Sequence, residues 1–299
     1  MLYYLFEYLD KLNVPGAGVF SYISFRSAAA VITSLFISML IGKKIILKLQ
    51  KMQVGELVRD LGLEGQYQKK GTPSMGGIII IASIIIPVLL FARLDNIYVL
   101  LMLLTTVWLG IIGFIDDYIK IFKRNKEGLA GRFKIAGQII LGLIIGLALF
   151  MCDDVVTIEK VKVSDLSIHE KIEMLESENN SPGQEEISVG MKSTRTTIPF
   201  VKNNEFDYSW LVSFINEDHR KPWTWLVFVS IVIFILTAVS NGANLTDGLD
   251  GLATGTSAII GTALGILAYV SSNVIYADYL NIMFIPRSEE LVIYAASFI

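Results

Sequence analysis

A chain of 299 residues that is 53% hydrophobic and 18% charged, with a mean hydropathy of +0.58, is too apolar for an ordinary soluble domain, where charged residues make up about a quarter of the total. Its net charge of −3, with Lys and Arg set in blocks between apolar runs, argues against a nucleic-acid partner. A single cysteine, Cys152, and two histidines, His169 and His219, offer neither a disulfide pair nor a zinc-type ligand set. The surroundings that fit this composition are a lipid bilayer.

The first ten residues carry Glu7 and Asp10, lack a basic start and lead into Pro15-Gly16 rather than a small-residue cleavage site, so they do not read as a signal peptide. Tyr3, Tyr4, Phe6 and Tyr8 suit an interfacial segment, because aromatic rings favour the headgroup level. Crossing about 30 Å of hydrocarbon at about 1.5 Å per residue takes roughly 20 apolar residues. Spans are expected near Tyr22–Gly42, Gly76–Ala92, Ile97–Ile115, Phe133–Met151, Trp223–Ser240 and Leu252–Ser271, with a seventh beginning at Glu290. The fold class is therefore an all-α, polytopic transmembrane bundle.

Basic residues near span ends stay cytoplasmic. The loop after the first span holds Lys43, Lys44, Lys48, Lys51, Arg59, Lys69 and Lys70, and the loop after the third holds Lys120, Lys123, Arg124, Lys126, Arg132 and Lys134. Both are read as cytoplasmic, and by parity so is Asn241–Gly251. The acidic stretch Cys152–Lys221 then lies outside; loops longer than about 60 residues translocate largely regardless of charge. Its middle, Ser177–Gly183, has a linker composition, while Thr196–Trp210, richer in β-branched and aromatic residues, suits a small hairpin. This divides the chain into a membrane region 1–151, an extracytoplasmic insertion 152–221 and a second membrane region 222–299.

Three polar segments share the cytoplasmic face. The run Ile97–Ile115 carries no charge, so Asp116-Asp117 emerges at the membrane surface, where water or a cation reaches it and the cost of about 2.5–3.5 kcal/mol for a carboxylate at the bilayer centre is avoided. Adjacent helical positions point about 100° apart, which suits two roles rather than one shared ligand role; the plainer reading is a solvated helix end beside a basic loop. In Asn241–Gly251, Asn244, Asp247 and Asp250 fall on one face if the segment is helical, and amide and carboxylate oxygens without basic neighbours suit Mg²⁺. The plainer reading there is a glycine-rich turn. Lys69-Lys70-Gly71-Thr72-Pro73-Ser74 precedes the second span; it reads as a helix start with Thr72 capping, or as a phosphate-attracting N-terminus with lysines beside it. No Walker loop or dinucleotide fingerprint occurs.

Together "KKGTPSMGG", "GFIDDYIK" and "NLTDGLDGLATG" resemble the polyprenyl-phosphate N-acetylhexosamine-1-phosphate transferase superfamily and, within it, the bacterial phospho-N-acetylmuramoyl-pentapeptide transferase family. The resemblance covers the chain from the first span onward, with Cys152–Lys221 longer than is usual there. It implies a bundle of ten helices in the bacterial inner membrane, often a homodimer, which uses Mg²⁺ to move phospho-MurNAc-pentapeptide from UDP-MurNAc-pentapeptide to undecaprenyl phosphate with release of UMP, a step of peptidoglycan synthesis. Residue by residue, it implies catalytic roles for Asp116, Asp117 and Asp247, with Asp247 also a metal ligand, and substrate contacts for Lys69, Ser74, Asn244 and Asp250. Ser74 stands where Thr is commoner and keeps the hydroxyl. Asp116 is the candidate for deprotonating or orienting the lipid phosphate.

Two rival readings are a sister enzyme that moves GlcNAc-1-phosphate and a secondary transporter, whose carboxylates would couple ions near the membrane midplane; against the latter, the carboxylates here gather at one face and no internal repeat is visible. A further expectation concerns length. Leu291–Ile299 supplies nine residues, about 14 Å of helix, and unpaired backbone groups in hydrocarbon cost several kcal/mol each. The chain is therefore expected to be C-terminally truncated, lacking the family's main metal-ligating Asp and its His-rich loop, and inactive by itself.

Overall fold

The computed structural model describes residues 1–51, 75–123, 125, 127–162, 186–198, 204–247 and 251–299. Among these, the helices are α1 (Leu2–Lys11), α2 (Ile23–Lys51), α3 (Gly77–Phe91), α4 (Ile97–Phe122), α5 (Gly131–Met151), α6 (Glu217–Thr246), α7 (Leu252–Ser271), α8 (Val274–Leu280) and α9 (Glu290–Phe298). Between α5 and α6 lie β1 (Thr157–Lys162), β2 (Glu186–Met191), β3 (Arg195–Thr197) and β4 (Glu205–Asp207). β1 pairs antiparallel with β2, Thr157 opposite Met191, and β3 with β4, Thr196 opposite Phe206. The hairpin expected within Thr196–Trp210 is β3–β4; the expected linker Ser177–Gly183 lies outside the described residues.

Among the described residues, five helices are long and apolar enough to cross a membrane: α2, α4, α5, Arg220–Thr246 of α6, and α7. The chain is a multi-pass helical membrane protein. The run expected as a span at Gly76–Ala92 forms α3, whose 15 residues reach only about 22 Å. Helix ends also depart from the hydropathy limits. α2 continues nine residues past Gly42 to Lys51, and α4 runs on from Ile115 to Phe122, because a helix that has satisfied its backbone internally has no reason to stop where hydrocarbon ends. Asp116 and Asp117 therefore sit inside a helix, nearly two turns from its last residue.

Two packed groups build the bundle. In the first, Ala30 of α2, Ile84, Val88 and Phe91 of α3, Val99 of α4 and Ile293, Tyr294 and Ala296 of α9 share one core. α7 joins it through Gly261 and Gly265, over which Phe298 and Ala295 of α9 lie closely enough that a Cβ would collide with them. In the second, Gly142 and Gly146 of α5 meet Ile233 and Val229 of α6; a Cβ on Gly142 would stand 2.9 Å from the Ile233 Cα. Hydrophobicity does not drive helices together in lipid, so such Gly-x-x-x-Gly approaches, which maximise van der Waals contact, carry much of the association.

One end of the bundle is closed by a charged knot. Arg26 and Glu290 are each 2% exposed and form a two-point pair, with Nη1 donating to Oε2 at 2.8 Å and Nη2 to Oε1 at 2.7 Å. Arg26 also donates to the Phe91 carbonyl, Glu290 accepts the Arg93 amide at 3.0 Å, and the Arg26 guanidinium lies 4.8 Å from the Tyr3 ring centroid. The knot joins α2, the α3–α4 turn and α9, three segments that depend on one another for their polar partners. On the rim, Asp95 accepts from the Tyr4 hydroxyl, Arg93 and Arg287. Burial pushes its carboxyl upward, but the hydrogen bonds from Tyr4 and Arg93 outweigh that and hold it below the usual carboxylate value.

Because a buried charge stripped of its partner is costly, Glu290→Ala should lower stability by about 3–5 kcal/mol, read as a large drop in the thermal midpoint in detergent. The double change Arg26→Met with Glu290→Leu should recover most of that loss. A single variant that melts like the parent would show that the pair does not hold the bundle.

Candidate functional site

At the opposite end from this knot lie the ends of α2, α4 and α6 and the starts of α3, α5 and α7. Asp116 is only 5% exposed, yet it is a carboxylate with ample partners. Its Oδ1 accepts the Leu129 amide at 2.8 Å and lies 2.9 Å from Lys134 Nζ, while its Oδ2 lies 2.7 Å from Lys120 Nζ. Lys120 follows by one helical turn on α4; Lys134 comes from the first turn of α5. Gly128, at φ +71° in the intervening loop, passes so close that a Cβ there would overlap the carboxylate. Left-handed φ without steric cost is the property of glycine, and here it lets the loop fold back over the carboxylate. Asp117, pointing elsewhere on the helix, is half-buried. The two neighbours thus occupy different surroundings, as their angular separation requires.

α5 then carries the arrangement across to α6. One turn after Lys134, Gln138 is 4% exposed. Its Nε2 donates to Ser240 Oγ at 3.1 Å, and its Oε1 accepts from Asn241 Nδ2 at 3.0 Å. Asn241 also donates to the Thr237 carbonyl at 2.8 Å. Residues four apart on a helix share a face, so a single stripe of α5 holds Asp116 of α4 with Lys134 and the end of α6 with Gln138. The Trp108 indole N–H, donating to the Gly137 carbonyl at 3.0 Å, fixes α4 against the same turn.

Beyond this clasp α6 continues for one turn and ends at Thr246, with Asp247 as its C-cap and Asn244 and Asp247 both exposed. Of the stripe expected for Asn244, Asp247 and Asp250, the described residues include the first two, Asn244 in the last turn of α6 and Asp247 just past its end. α7 starts separately after Gly251, which is left-handed at φ +78°, and Asp250 lies outside the described residues. So do Lys69 and Ser74.

The last turn of α6 holds no basic residue. A carboxylate there adds to the partial negative charge of the free carbonyls at a helix C-terminus, an arrangement that a hard cation relieves. Asn244 and Asp247 offer oxygen ligands of the kind Mg²⁺ accepts, with phosphate and water completing the shell. Among the described residues no group of three His, Cys, Asp or Glu side chains gathers to make a metal site of its own.

Sequence reading missed Lys120 and Lys134 as partners of Asp116, and Gln138 altogether. A lone amide in the apolar run Ile135–Met151 was the available signal, since polar groups in a span mark bonded or functional positions. If the clasp is energetically coupled, Gln138→Leu should cost about 1–3 kcal/mol by stranding the Asn241 amide. Adding Asn241→Leu should then cost less than the two single changes combined. Strict additivity in a thermal double-mutant cycle would contradict the clasp.

The family model described as phospho-N-acetylmuramoyl-pentapeptide-transferase signature 1 matches residues 69–81, and that described as glycosyl transferase family 4 matches residues 189–287. The chain is 62% identical over 299 residues to a phospho-N-acetylmuramoyl-pentapeptide-transferase of Parabacteroides distasonis, covering 100% of this chain and 68% of the relative. It is 56% identical over 300 residues to the protein of that name from Flavobacterium psychrophilum, covering 100% and 71%, and 56% identical over 304 residues to that of Bacteroides thetaiotaomicron, covering 100% and 68%.

Proposed function

We propose that this chain, which belongs to the phospho-N-acetylmuramoyl-pentapeptide transferase family, moves phospho-MurNAc-pentapeptide from UDP-MurNAc-pentapeptide onto undecaprenyl phosphate, giving lipid I and UMP. The observation that carries this reading at the level of structure is the α5 stripe. Lys134 and Gln138 tie the Asp116 cluster and the Asn244–Asp247 turn to one end of the bundle, where a lipid phosphate and a soluble pyrophosphate can both arrive.

In the reaction, an oxygen of undecaprenyl phosphate attacks the sugar-bearing phosphorus of the donor. The new P–O bond forms as the bond from that phosphorus to the bridging oxygen breaks, and UMP leaves with the bridging oxygen and its electron pair. Direct attack suits a nucleophile that is already anionic. The chief obstacle is repulsion between two phosphorylated substrates. Lys120 and Lys134, 41% and 23% exposed, are held by Asp116 where their ammonium groups can meet phosphate. Of the two roles considered for Asp116, orienting the lipid phosphate is better supported than taking a proton, since both its oxygens already accept. Asp117 supports that site, and Lys69, Ser74 and Asp250 are assigned to substrate binding, as the resemblance implies.

Asn244 and Asp247 would hold Mg²⁺, which when bound neutralises pyrophosphate charge and stabilises the leaving UMP. The donor set and the absence of a basic residue from the last turn of α6 fit that ion. The site faces the cytoplasm of a bacterial inner membrane, because Lys43, Lys44, Lys48 and Lys51 end α2 and the Asp116 loop is basic, and basic short loops stay inside. A homodimer is the assembly this reading carries.

Asp247→Asn, made in the protein expressed from its whole gene, should cut UMP release about 100-fold or more, as loss of a preorganised charge does, while the thermal midpoint stays near the parent's. A near-parental rate at saturating Mg²⁺ would take Asp247 out of the site, and UDP-GlcNAc serving as well as UDP-MurNAc-pentapeptide would favour the sister activity. Sidedness is read separately: a cysteine at Asn125 should resist impermeant reagents added outside intact cells, and ready labelling there would invert the orientation.

A further inference from the structure

We propose that the 3₁₀ turn Tyr208–Val212 and the residues that follow it to Phe214 are seated in the bilayer surface through Trp210, Leu211 and Phe214, a membrane-docked cap beside the ends of α5 and α6 rather than a projection into water. The inference is independent of the reaction and of which side of the membrane this end occupies.

The depth of these residues is bracketed by structure on both sides. α5 ends at Met151, which is 69% exposed on a membrane-crossing helix, whereas the Asp153 side chain two residues later is 98% exposed and must be in water. The boundary of the hydrocarbon therefore lies between them. The short 3₁₀ turn Tyr208–Val212 does not stand beyond this boundary. Tyr208 is buried, and its ring meets that of Phe228 on α6, with centroids 5.8 Å apart. Phe228 in turn packs on Trp225, and Trp225 on Phe150 in the last turn of α5. The 3₁₀ turn is thus held at the level of the last turn of α5, on the lipid side of Asp153.

At that level its outward side chains are apolar. Trp210 is 59% exposed, Leu211 50% and Phe214 84%, against what would be an energetically unfavourable face in water. Trp210 is steadied from within by Phe206, ring centroids 5.8 Å apart, and the turn carrying Phe214 is tied down by Arg220, whose Nη2 donates to the Ser213 and Ile215 carbonyls at 3.3 Å. Trp223, 50% exposed, and exposed Lys221 follow at the start of the α6 span, the combination of amphipathic ring and long cationic stem that settles at headgroups. This surface continues the lipid-facing sides of α5 and α6, and its occupant is the same lipid.

The cap is also fastened where it would otherwise lift. Lys192 Nζ donates to the Phe150 carbonyl at 2.9 Å and the Met151 carbonyl at 3.3 Å, satisfying the end of α5. The Ile158 amide donates to the Phe284 carbonyl at 3.0 Å, and Asn204 donates to the Asn281 carbonyl at 3.2 Å. Three separate attachments leave the 3₁₀ turn little freedom to leave the surface.

The test places single spin labels in the protein expressed from its whole gene, with Cys152→Ser as background, reconstituted in phosphatidylcholine–phosphatidylglycerol vesicles. Leu211→Cys and Phe214→Cys are compared with an aqueous reference, Asp153→Cys, and a hydrocarbon reference, Phe234→Cys, which is 70% exposed on α6. All four positions are at least half exposed, and an unchanged thermal midpoint verifies each fold. Labels at 211 and 214 should collide with oxygen more often, and with a water-soluble nickel chelate severalfold less often, than the label at 153. Nickel collision at 214 equal to that at 153 overturns the proposal. So does protection of 214 that is present in native membranes and absent in lipid-only vesicles, which would assign the surface to a protein partner.

Discussion

The arrangement at the carboxylate end depends on how Asp116 is satisfied. A carboxylate that is 5% exposed cannot stay charged there without partners, because the cost of desolvating an ion exceeds what a single weak contact returns. Its three donors come from three places: Lys120 on its own helix, Lys134 on the next, and the Leu129 amide in the loop between. Satisfying the charge therefore fixes the α4–α5 connection as a by-product. Once Lys134 is fixed, the stripe one turn along α5 is fixed too, and Gln138 sets the height and rotation of α6. The position of Asn244 and Asp247 follows from that chain of contacts, although neither residue touches Asp116.

Close backbone packing makes this transfer of position exact enough to matter. If α5 and α6 were separated by large side chains, a hydrogen bond at one end would leave the other free to splay. Gly142 and Gly146 remove that freedom by bringing the helices to the distance at which Ile233 and Val229 lie against bare backbone. Helices that interact by dispersion alone gain little from a loose fit, so the same glycines that favour association also limit how far the Gln138–Asn241 clasp can drift. The amide pair supplies direction, which van der Waals contact lacks.

Much of this was legible in sequence, and what was not has a common cause. Span positions, the separate environments of Asp116 and Asp117, the hairpin near Thr196–Trp210 and the helix beginning at Glu290 all follow from local composition and spacing. α2 and α4 run past the expected spans because hydropathy marks the extent of hydrocarbon, whereas a helix ends where its backbone finds other partners. The Asn244–Asp247–Asp250 stripe supposes a helix that continues to Asp250, whereas α6 ends at Thr246 with Asp247 as its C-cap and a new helix opens after the left-handed Gly251. Contacts between distant segments leave at most a lone polar residue in an apolar run, with nothing to name its partner. Arg26 and Glu290 stand 264 residues apart, and each alone reads as a charge misplaced near a span.

The two ends of the bundle solve the same physical problem in different ways. At the Arg26–Glu290 end, opposite charges are matched one to one and sealed at 2% exposure, which leaves nothing for a ligand to displace. At the Asp116 end two ammonium groups share one buried carboxylate and remain 41% and 23% exposed, so positive charge is left over and reachable from water. The first arrangement suits a permanent joint and the second a place where anions come and go. A protein that must hold its helices rigid while admitting phosphorylated molecules has use for both, and here the two arrangements lie at opposite ends of the bundle.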